Sequence, residues 1–373
     1  MANDLTALTP TLFSAAQQVS NEPFGIIDAV SADFDDKGVS VGDPVDVTVA
    51  PTRTPKAFTP GVNAPVGDDA DAESEQVVIT RSDLVDWYLT GEQQRRLENG
   101  GTDQEWVRQL IAQGMRALRN QAEGDCATAI KVGASRAVGT AGSSPFGSDI
   151  NAMVDLQKVL KDNGAPMADL QMCIDTTDGA ALRKLGIIQQ ADQAGSDEER
   201  RSGNLLRQYG FQLRESAGIS LHSAGTADSD YDTNGATAAG ARSIVIDTGT
   251  GDFNAGDVVA IGGVNYVVSA DSAGSPITVA RPGVAATIED GTDLAPAGDY
   301  TPILGFERSA VVAVMRPPVM PPNANHQQVL ISDEMGMTYL LVQISQYGQV
   351  KWELHLASGF KVVQSEHVAI LLS

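Results

Sequence analysis

The clearest hydrophobic pattern in the chain is a helical one that runs from Asp103 to about Val132. Apolar residues recur there every three to four positions. Thr102-Asp-Gln-Glu105 is a capping box, in which the Thr hydroxyl and the Glu carboxylate satisfy backbone N–H groups at the start of a helix. A helix of this length spans about 45 Å, at about 1.5 Å per residue. The pattern therefore predicts one long helix that crosses a whole domain.

Weaker periodic segments predict shorter helices elsewhere. The segment 10–30 has an interrupted amphipathic pattern and predicts one or two short helices in an extended N-terminal arm. Two short helical pieces are predicted over 82–99, because Gly91 interrupts an otherwise apolar segment. Helices are also predicted over 150–161 and 178–188, on either side of a buried strand at 170–174.

Two strand-like segments flank an unusually long connection. Val45–Val49 and Gln76–Thr80 are rich in β-branched residues, and the connection of about 25 residues between them includes four prolines. Loops longer than about 12–15 residues without structure of their own are uncommon in compact domains. An isolated two-stranded hairpin is marginal in water. The connection is therefore either disordered or a long arm that lies on something else, and another copy of the chain is the obvious partner.

A change of character near residue 243 predicts a separate all-β module. Five short strands follow one another at intervals of about 8–12 residues, which favours a small barrel or sandwich. They are predicted at 243–247, 257–261, 264–268, 276–280 and 285–288. Loop-like sequence on both sides indicates an insertion. The tail then predicts strands at 309–315, 338–345, 350–357 and 360–372, so the fold class is α+β.

Composition excludes several classes of function. With 25 Lys and Arg against 48 Asp and Glu, the formal net charge of −23 disfavours tight binding to nucleic acid, which needs a basic face. Two cysteines do not make a disulfide framework and favour a reducing compartment. The first residues have neither the basic nor the apolar part of a secretory signal, and no apolar run is long enough for a membrane helix.

The sequence shows no recognisable catalytic constellation. The phosphate-binding GxxxxGK[ST], the dinucleotide-binding GxGxxG and the GxSxG nucleophile elbow are all missing, and the four histidines are scattered. The segment Asp230–Gly235 matches the first half of a calcium-binding loop, but Ala241 stands where a bidentate Glu is needed. Such clusters are also ordinary turn chemistry. We therefore expect no catalytic residue, no metal and no cofactor.

Charged residues around the long connection are candidates for contacts between subunits. An acidic run there is either a solvated loop face or a set of partners for basic residues on a neighbouring copy. Exposed pairs contribute only about 0–1 kcal/mol each, so they would set register more than affinity. The acidic candidates are Asp68, Asp69, Asp71, Glu73 and Glu75. The basic counterparts are Arg95, Arg96, Arg116, Arg119, Arg200 and Arg201. Arg53, Lys56 and Phe58 on the other limb of the connection could dock in the same way.

The order of these elements resembles a known family. An N-terminal arm, Gly42–Val49, a long loop, Gln76–Thr80, a short helical segment and one very long helix resemble the major capsid proteins of tailed double-stranded DNA bacteriophages, the Hong Kong 97-like fold. Gly305–Val314 resembles the family's F-x-R-x-A strand, and Gly359–Leu372 resembles its closing strand. The all-β module is similar to the extra domain of some short-tailed phage coat proteins.

The resemblance implies a domain organisation. It comprises an N-terminal arm (1–41), an extended hairpin loop (42–80), short helices with the long spine helix of a peripheral domain (81–145), an axial domain (146–235), the β-rich insertion (236–300), and C-terminal strands returning to the axial and peripheral domains (301–373).

The resemblance also implies a function. It predicts a structural protein that self-assembles as pentamers and hexamers into an icosahedral phage head around double-stranded DNA, without sequence-specific DNA binding and without a membrane. Scaffolding and portal proteins would assist assembly in the host cytoplasm, and a decoration protein is a further candidate partner. Another virion protein, from the decoration or the tail, and an unrecognised hydrolase are the alternatives.

Overall fold

The computed structural model describes residues 25–33, 37–49, 60, 73–100, 103–185, 207–320, 326–332 and 336–373. Within these ranges the chain has a mixed α+β fold, which confirms the predicted class. The helices are α1 (Gly91–Gly100), α2 (Asp103–Gly133), α3 (Asn151–Asp162) and α4 (Thr176–Lys184), and two short 3-10 helices occupy Arg308–Ala310 and Ser365–His367. None of the helices in these ranges has the length and apolar composition of a membrane span.

The strands are numbered in chain order. They are β1 (Ser31–Asp33), β2 (Pro44–Val49), β3 (Glu73–Val78), β4 (Arg81–Thr90), β5 (Arg136–Gly139), β6 (Leu170–Ile174), β7 (Arg207–Gln208), β8 (Phe211–Glu215), β9 (Asp232–Thr233), β10 (Ser243–Ile244), β11 (Ile246–Asp247), β12 (Val258–Ile261), β13 (Val264–Val267), β14 (Ile277–Thr278), β15 (Leu294–Pro296), β16 (Pro302–Glu307), β17 (Val311–Arg316), β18 (His326–Ser332), β19 (Thr338–Gln346), β20 (Gln349–Val362) and β21 (Val368–Leu372).

Helix α2 and a mixed sheet form the first half of the body. The predicted long helix is confirmed, and its buried side chains follow one stripe with steps of three to four residues. They are Val107, Ile111, Met115, Leu118, Ala122, Cys126 and Ile130. This stripe packs on the sheet β1-β17-β20-β19-β18, to which β4 adds along the free side of β20. Leu354 and Trp87 lie against Gly114, where α2 carries no side chain to separate it from the sheet.

A second sheet forms the other half and carries its own core. Its strand order is β15-β12-β13-β5-β21-β16-β6-β8-β7. Helices α3 and α4 cover it through buried residues that include Met153, Leu156, Leu160 and Leu182. Asp175 caps α4 by accepting a hydrogen bond from the Asp178 backbone N–H at 2.8 Å. The predicted strand at 170–174 and the helix at 150–161 are confirmed to within one residue at their ends.

The β-rich module encloses a separate hydrophobic core. The residues that fill it include Tyr231, Phe253, Val259, Ile277 and Val279. His222 and Tyr300 exchange backbone hydrogen bonds at 2.8 and 3.2 Å, which brings the two ends of the module together. We call residues 222–300 the β-module.

Three sequence predictions need correction. Residues 82–90 are strand and not helix, because β4 pairs with β20 along its whole length. Residues 285–288 make one isolated bridge, Thr237 to Ile288, because the Ala285 N–H donates to the Tyr266 hydroxyl instead of a strand partner. The predicted strand 360–372 is divided, because β20 and β21 belong to different sheets.

Further differences are smaller. Strand β18 was not predicted, although Val329–Ile331 gave an apolar signal. The helix predicted over 178–188 begins at Thr176 and ends at Lys184, and its predicted end lies outside the described residues. The helices predicted over 10–30 mostly lie there too, while Ile26, Ile27 and Val30 are buried in the main core.

Candidate inter-subunit surface

Strands β2 and β3 form a two-stranded sheet of their own. Pro44 pairs with Val78 and Val49 with Glu73, and among the described strands neither pairs with any other. One face packs on a small cluster formed by Val39, Val77, Ile79, Val312, Val314, Ala357 and Val363, and the half-buried Val45, Val47 and Val49 join it. The other face is exposed, through Asp46, Thr48 and Gln76 among others. The two predicted strands are therefore confirmed as a hairpin attached by one face.

An ion pair fixes the base of this hairpin. The Glu75 carboxylate accepts a hydrogen bond from Lys361 Nζ at 2.7 Å and lies 3.5 Å from Arg281. Lys361 also donates to the Gln76 carbonyl at 2.9 Å. The hydrogen bond from Lys361 lowers the pKa of Glu75. The sequence predicts Glu75 as a partner for a neighbouring subunit, whereas within this chain the carboxylate holds β3 against β20 and the β-module.

Close backbone packing strengthens the attachment. A Cβ atom at Gly359 would lie 2.4 Å from the Val78 carbonyl oxygen and 3.0 Å from Ile79 Cα. Thr80 N–H donates to the Ser358 carbonyl at 3.1 Å. The absence of a side chain at Gly359 therefore lets the end of the hairpin lie directly on β20.

The other predicted contact residues are distributed widely. Arg95 is exposed on α1 and Arg116 is exposed on α2, whereas Arg119 is 2% exposed and has a partner within the chain. Burial removes Arg119 from the surface that the sequence prediction assigned to it. Glu73 lies in β3 and Arg96 in α1. The candidates outside the described residues are Arg53, Lys56, Phe58, Asp68, Asp69, Asp71, Arg200 and Arg201.

The outer face of the α2-packed sheet carries exposed apolar residues that the sequence analysis missed. Leu330, Leu340, His355 and Leu84 form one row across β18, β19, β20 and β4. Leu330 and Leu84 at the two ends of the row are exposed, whereas Leu340 and His355 between them are buried. Leu84 is 50% exposed, and Tyr88, two residues further along the same face, is 61% exposed. The residue types of 83–88 do not alternate and so carry no strand signal, and only the burial of every second side chain reveals this face. This face points away from α2 and is a second candidate contact surface.

A charged group on the same face holds β4 to β20. Lys351 Nζ lies 2.8 Å from Asp86 and 2.8 Å from Glu353. The hydrogen bonds that Lys351 donates to Asp86 and Glu353 raise the pKa of Lys351. Burial opposes ionisation of Glu353, but hydrogen bonds from Lys351 and His355 outweigh it and lower the pKa of that carboxyl. The face therefore carries a fixed group of charges beside exposed apolar side chains.

The first described segment is anchored firmly in the body. The Glu123 carboxylate on α2 accepts the Ile26 N–H at 3.2 Å and the Ser216 hydroxyl. Ion pairs join Asp28 to Arg214, and Asp33 to Arg316 at 2.6 Å. Strand β1 runs parallel to β17. The first described segment therefore has a fixed position on the core.

A groove of about 730 Å³ lies where the hairpin base, α2 and the β-module meet. Arg81, Arg242 and Lys361 line it together with Asp125. Arg81 donates to both carboxylate oxygens of Asp125 at 3.3 Å. The groove is more basic than the chain as a whole, and it is the third surface at which another chain could bind.

Metal and thiol chemistry receive no support from the described residues. Within the described ranges, no three His, Cys, Asp or Glu side chains form a metal-ligand group. In the calcium-like segment, Asp232 accepts the Thr248 hydroxyl at 2.8 Å, which is turn chemistry. Cys126 and Cys173 are buried free thiols, and burial raises the pKa of both.

No protein-family model matches the chain, and no curated protein matches it in sequence. Solved structures do resemble it. The capsid structure of the cyanophage P-SCSP1u has 12% identity and a TM-score of 0.48, over 94% of this chain and 89% of that chain. The mature capsid of bacteriophage PhiM1 has 10% identity and a TM-score of 0.48, over 94% and 87%.

The virus-like particle from Pyrococcus furiosus has 10% identity and a TM-score of 0.44, over 97% of this chain and 98% of that chain. In all three cases the similarity extends over at least 87% of either chain.

Proposed function

We propose that this chain is a major capsid protein, which self-assembles into an icosahedral shell around double-stranded DNA. The observation that carries the proposal is the β2–β3 hairpin. It is a separate two-stranded sheet that is attached by one face, with both edges unpaired among the described strands. Unpaired edges and an exposed face invite pairing with another chain. A second copy of the same chain can cover them and gain the stability that an isolated hairpin lacks.

The rigid base supports the same role. Burial of Val77 and Ile79, the Glu75–Lys361 ion pair and the close approach at Gly359 together fix the direction in which the hairpin leaves the body. A fixed direction reduces the entropy lost when a neighbour is bound. It also gives each copy the same contact geometry, which closed symmetry requires.

Exposed apolar residues elsewhere on the body are suited to contacts with several neighbouring subunits. Besides Leu84 and Tyr88, the residues Val41, Val78 and Val319 near the hairpin base are exposed. Interfaces of permanent assemblies bury more than about 2,000 Å² and are more apolar than ordinary surface. Several separate patches on one chain suit a shell, in which each subunit meets several neighbours.

The excess of acidic residues is compatible with a shell that encloses nucleic acid. A net charge of −23 provides little neutralisation of phosphate, so enclosed DNA would be confined without being held tightly. Pentamers and hexamers, a scaffolding protein, a portal and a decoration protein complete the proposed assembly, in the host cytoplasm.

The direct test removes the connection and keeps the hairpin. Replacing residues 50–72 with Asn-Gly gives β2 and β3 a two-residue turn. Because no residue of the described cores is lost, we expect a folded chain with an unchanged circular dichroism spectrum. We expect electron microscopy and sedimentation to show no regular shells.

A matched control replaces the same residues with a Gly/Ser linker of equal length. It should also abolish regular shells, which would show that the residue types and not only the length are needed. Normal shells from the Asn-Gly variant would refute the role of this region in assembly. Fibres or small closed rings from the wild-type chain would favour a different virion protein.

A further inference from the structure

The end of α2 meets the β-module through a line of three polar side chains. Lys131, in the last turn of α2, has its Nζ atom 2.9 Å from His222 Nδ1. His222 Nε2 lies 2.8 Å from Asp257 Oδ1. His222 and Asp257 are 6% and 4% exposed. The stem of Lys131 packs on Gly256, where a Cβ atom would lie 2.9 Å from Lys131 Cε.

The position of the protons follows from the donors available. An ammonium group only donates, so His222 Nδ1 must accept from Lys131 and the Nε2–H must donate to Asp257. Transfer of one proton from Lys131 to His222 gives a neutral amine that accepts instead. Burial lowers the pKa of Lys131, which favours this exchange. In either state the contact exists because one of the two nitrogen atoms keeps a lone pair.

The other groups around the imidazole come from the β-module. Asp257 also accepts the Asn254 N–H at 2.8 Å and the Gly225 N–H at 3.1 Å, so its carboxylate is fixed. The Tyr300 ring packs on His222 with centroids 5.0 Å apart, and its hydroxyl donates to the Gly256 carbonyl. The charged and titratable groups that face His222 are therefore Lys131 from α2, and Asp257 and Tyr300 from the β-module.

We propose that Lys131, His222 and Asp257 form an acid-sensitive latch, which links the β-module to the end of α2 and opens when Lys131 and His222 both carry their full number of protons. In that state the Nδ1–H of His222 faces the Lys131 ammonium group at 2.9 Å, with no lone pair between the two nitrogen atoms. The imidazolium keeps its hydrogen bond to Asp257. The contact that breaks is therefore the one between helix and module.

The remaining pairing between the module and the body is short. Strand β13 meets β5 at two positions, Asn265 with Ala137 and Tyr266 with Arg136. Val258, Val267 and Tyr300 of the module also lie in the main core, so opening of the latch loosens this junction without freeing the module. The latch lies within one chain, so it goes beyond the proposed shell and does not depend on it.

Amide hydrogen exchange of the full unassembled chain tests the latch. Histidine side chains change charge between about pH 5 and about pH 8, so we compare about pH 7.5 with about pH 5.5 after correction for the intrinsic exchange rate. We expect peptides covering 126–134 and 253–269 to lose protection by about tenfold or more in acid. Peptides from α3 should keep their protection and serve as the internal reference.

Three variants locate the effect. Lys131→Met keeps the apolar stem and removes the cation, so the acid-induced loss of protection should disappear. His222→Gln removes the titrating group and should do the same. His355→Gln removes a histidine that is paired with Glu353 far from the module, and it should retain the wild-type loss.

Three results would overturn the latch. They are a wild-type chain whose junction peptides are equally protected at both pH values, a Lys131→Met variant that keeps the wild-type loss, and an equal loss in α3. If His222→Gln does not fold, the result for Lys131→Met alone tests the latch. Lys131 is only partly buried, so we expect its replacement by methionine to leave the chain folded.

Discussion

The β2–β3 hairpin and the β-module are both excursions from the body, yet they reach stability differently. The β-module buries thirteen apolar residues around one core, including Phe253 and Ile277. The hairpin has no core between its strands and relies on a cluster that it shares with β17 and β20. An inserted segment that encloses its own core is stable within one chain.

Energetics explain the contrast. Each fully buried Val, Ile or Phe contributes about 1.5–3 kcal/mol, so the β-module gains far more from its core than the hairpin gains from the buried Val77 and three half-buried valines. The hairpin therefore stays dependent on its surroundings. In the proposed shell, the surroundings of its exposed face are a second subunit.

The largest expected effect is in the β-module. Phe253→Ala should cost about 3–5 kcal/mol, because it leaves a cavity in a closed core. The matched hairpin change, Val47→Ala, removes a half-buried side chain and should cost less than about 1 kcal/mol. Denaturant unfolding of both variants measures the difference. Equal costs would mean that the module core is not packed as described.

At the hairpin base, Ile79→Ala should cost about 2–4 kcal/mol, because the side chain is fully buried but the shared cluster is small. Hydrogen exchange should show loss of protection in β3 and unchanged protection in the β-module. Loss of protection in both regions would show that the two excursions are not independent.

The close approach at Gly359 gives a smaller effect. Gly359→Ala brings a methyl group within 2.4 Å of the Val78 carbonyl, so the hairpin must shift, at a cost of about 1–3 kcal/mol. Gly298→Ala, at an open position near the end of the module, is the control and should be neutral. A Gly359→Ala variant as stable as the wild type would show that the hairpin base is not held tightly.

The smallest effect concerns the ion pair. Glu75→Gln should destabilise the chain by less than about 1 kcal/mol, because the pair is partly exposed. The folded-state pKa of Glu75 is lowered from 4.5, so its contribution is present above that value and is lost as the pH falls through the folded-state pKa. The stability difference between wild type and variant, measured by urea unfolding, should therefore shrink in acid. A difference that grows as the pH falls would contradict the pairing.

Local patterns predicted the long helix, the hairpin strands and most of the module, because each has a strong period or a turn signal of its own. The helix over 103–132 ends within one residue of its prediction. The error at 82–90 has a physical cause. Leu84 and Tyr88 make one face of this segment apolar, and Val85, Trp87 and Leu89 make the other face apolar as well. The segment is a strand because it pairs with β20, which no local pattern shows.

The candidate site was predictable only in part. The sequence identified the charged residues near the hairpin but not their partners, since Glu75 meets Lys361 across 286 positions of the chain. The latch could not be predicted from the sequence either, because Lys131, His222 and Asp257 come from three distant segments. Ordinary histidine and lysine residues give no local signal for such a contact.

In the proposed shell a neighbouring copy completes the stability of the hairpin, and hydrogen exchange before and after assembly measures this contribution. We expect amides of 44–49 and 73–78 to exchange at least about tenfold more slowly in assembled particles than in the dissociated chain, while amides of 258–267 in the β-module keep the same protection. A hairpin that is already fully protected in the dissociated chain, and does not change on assembly, would contradict the account.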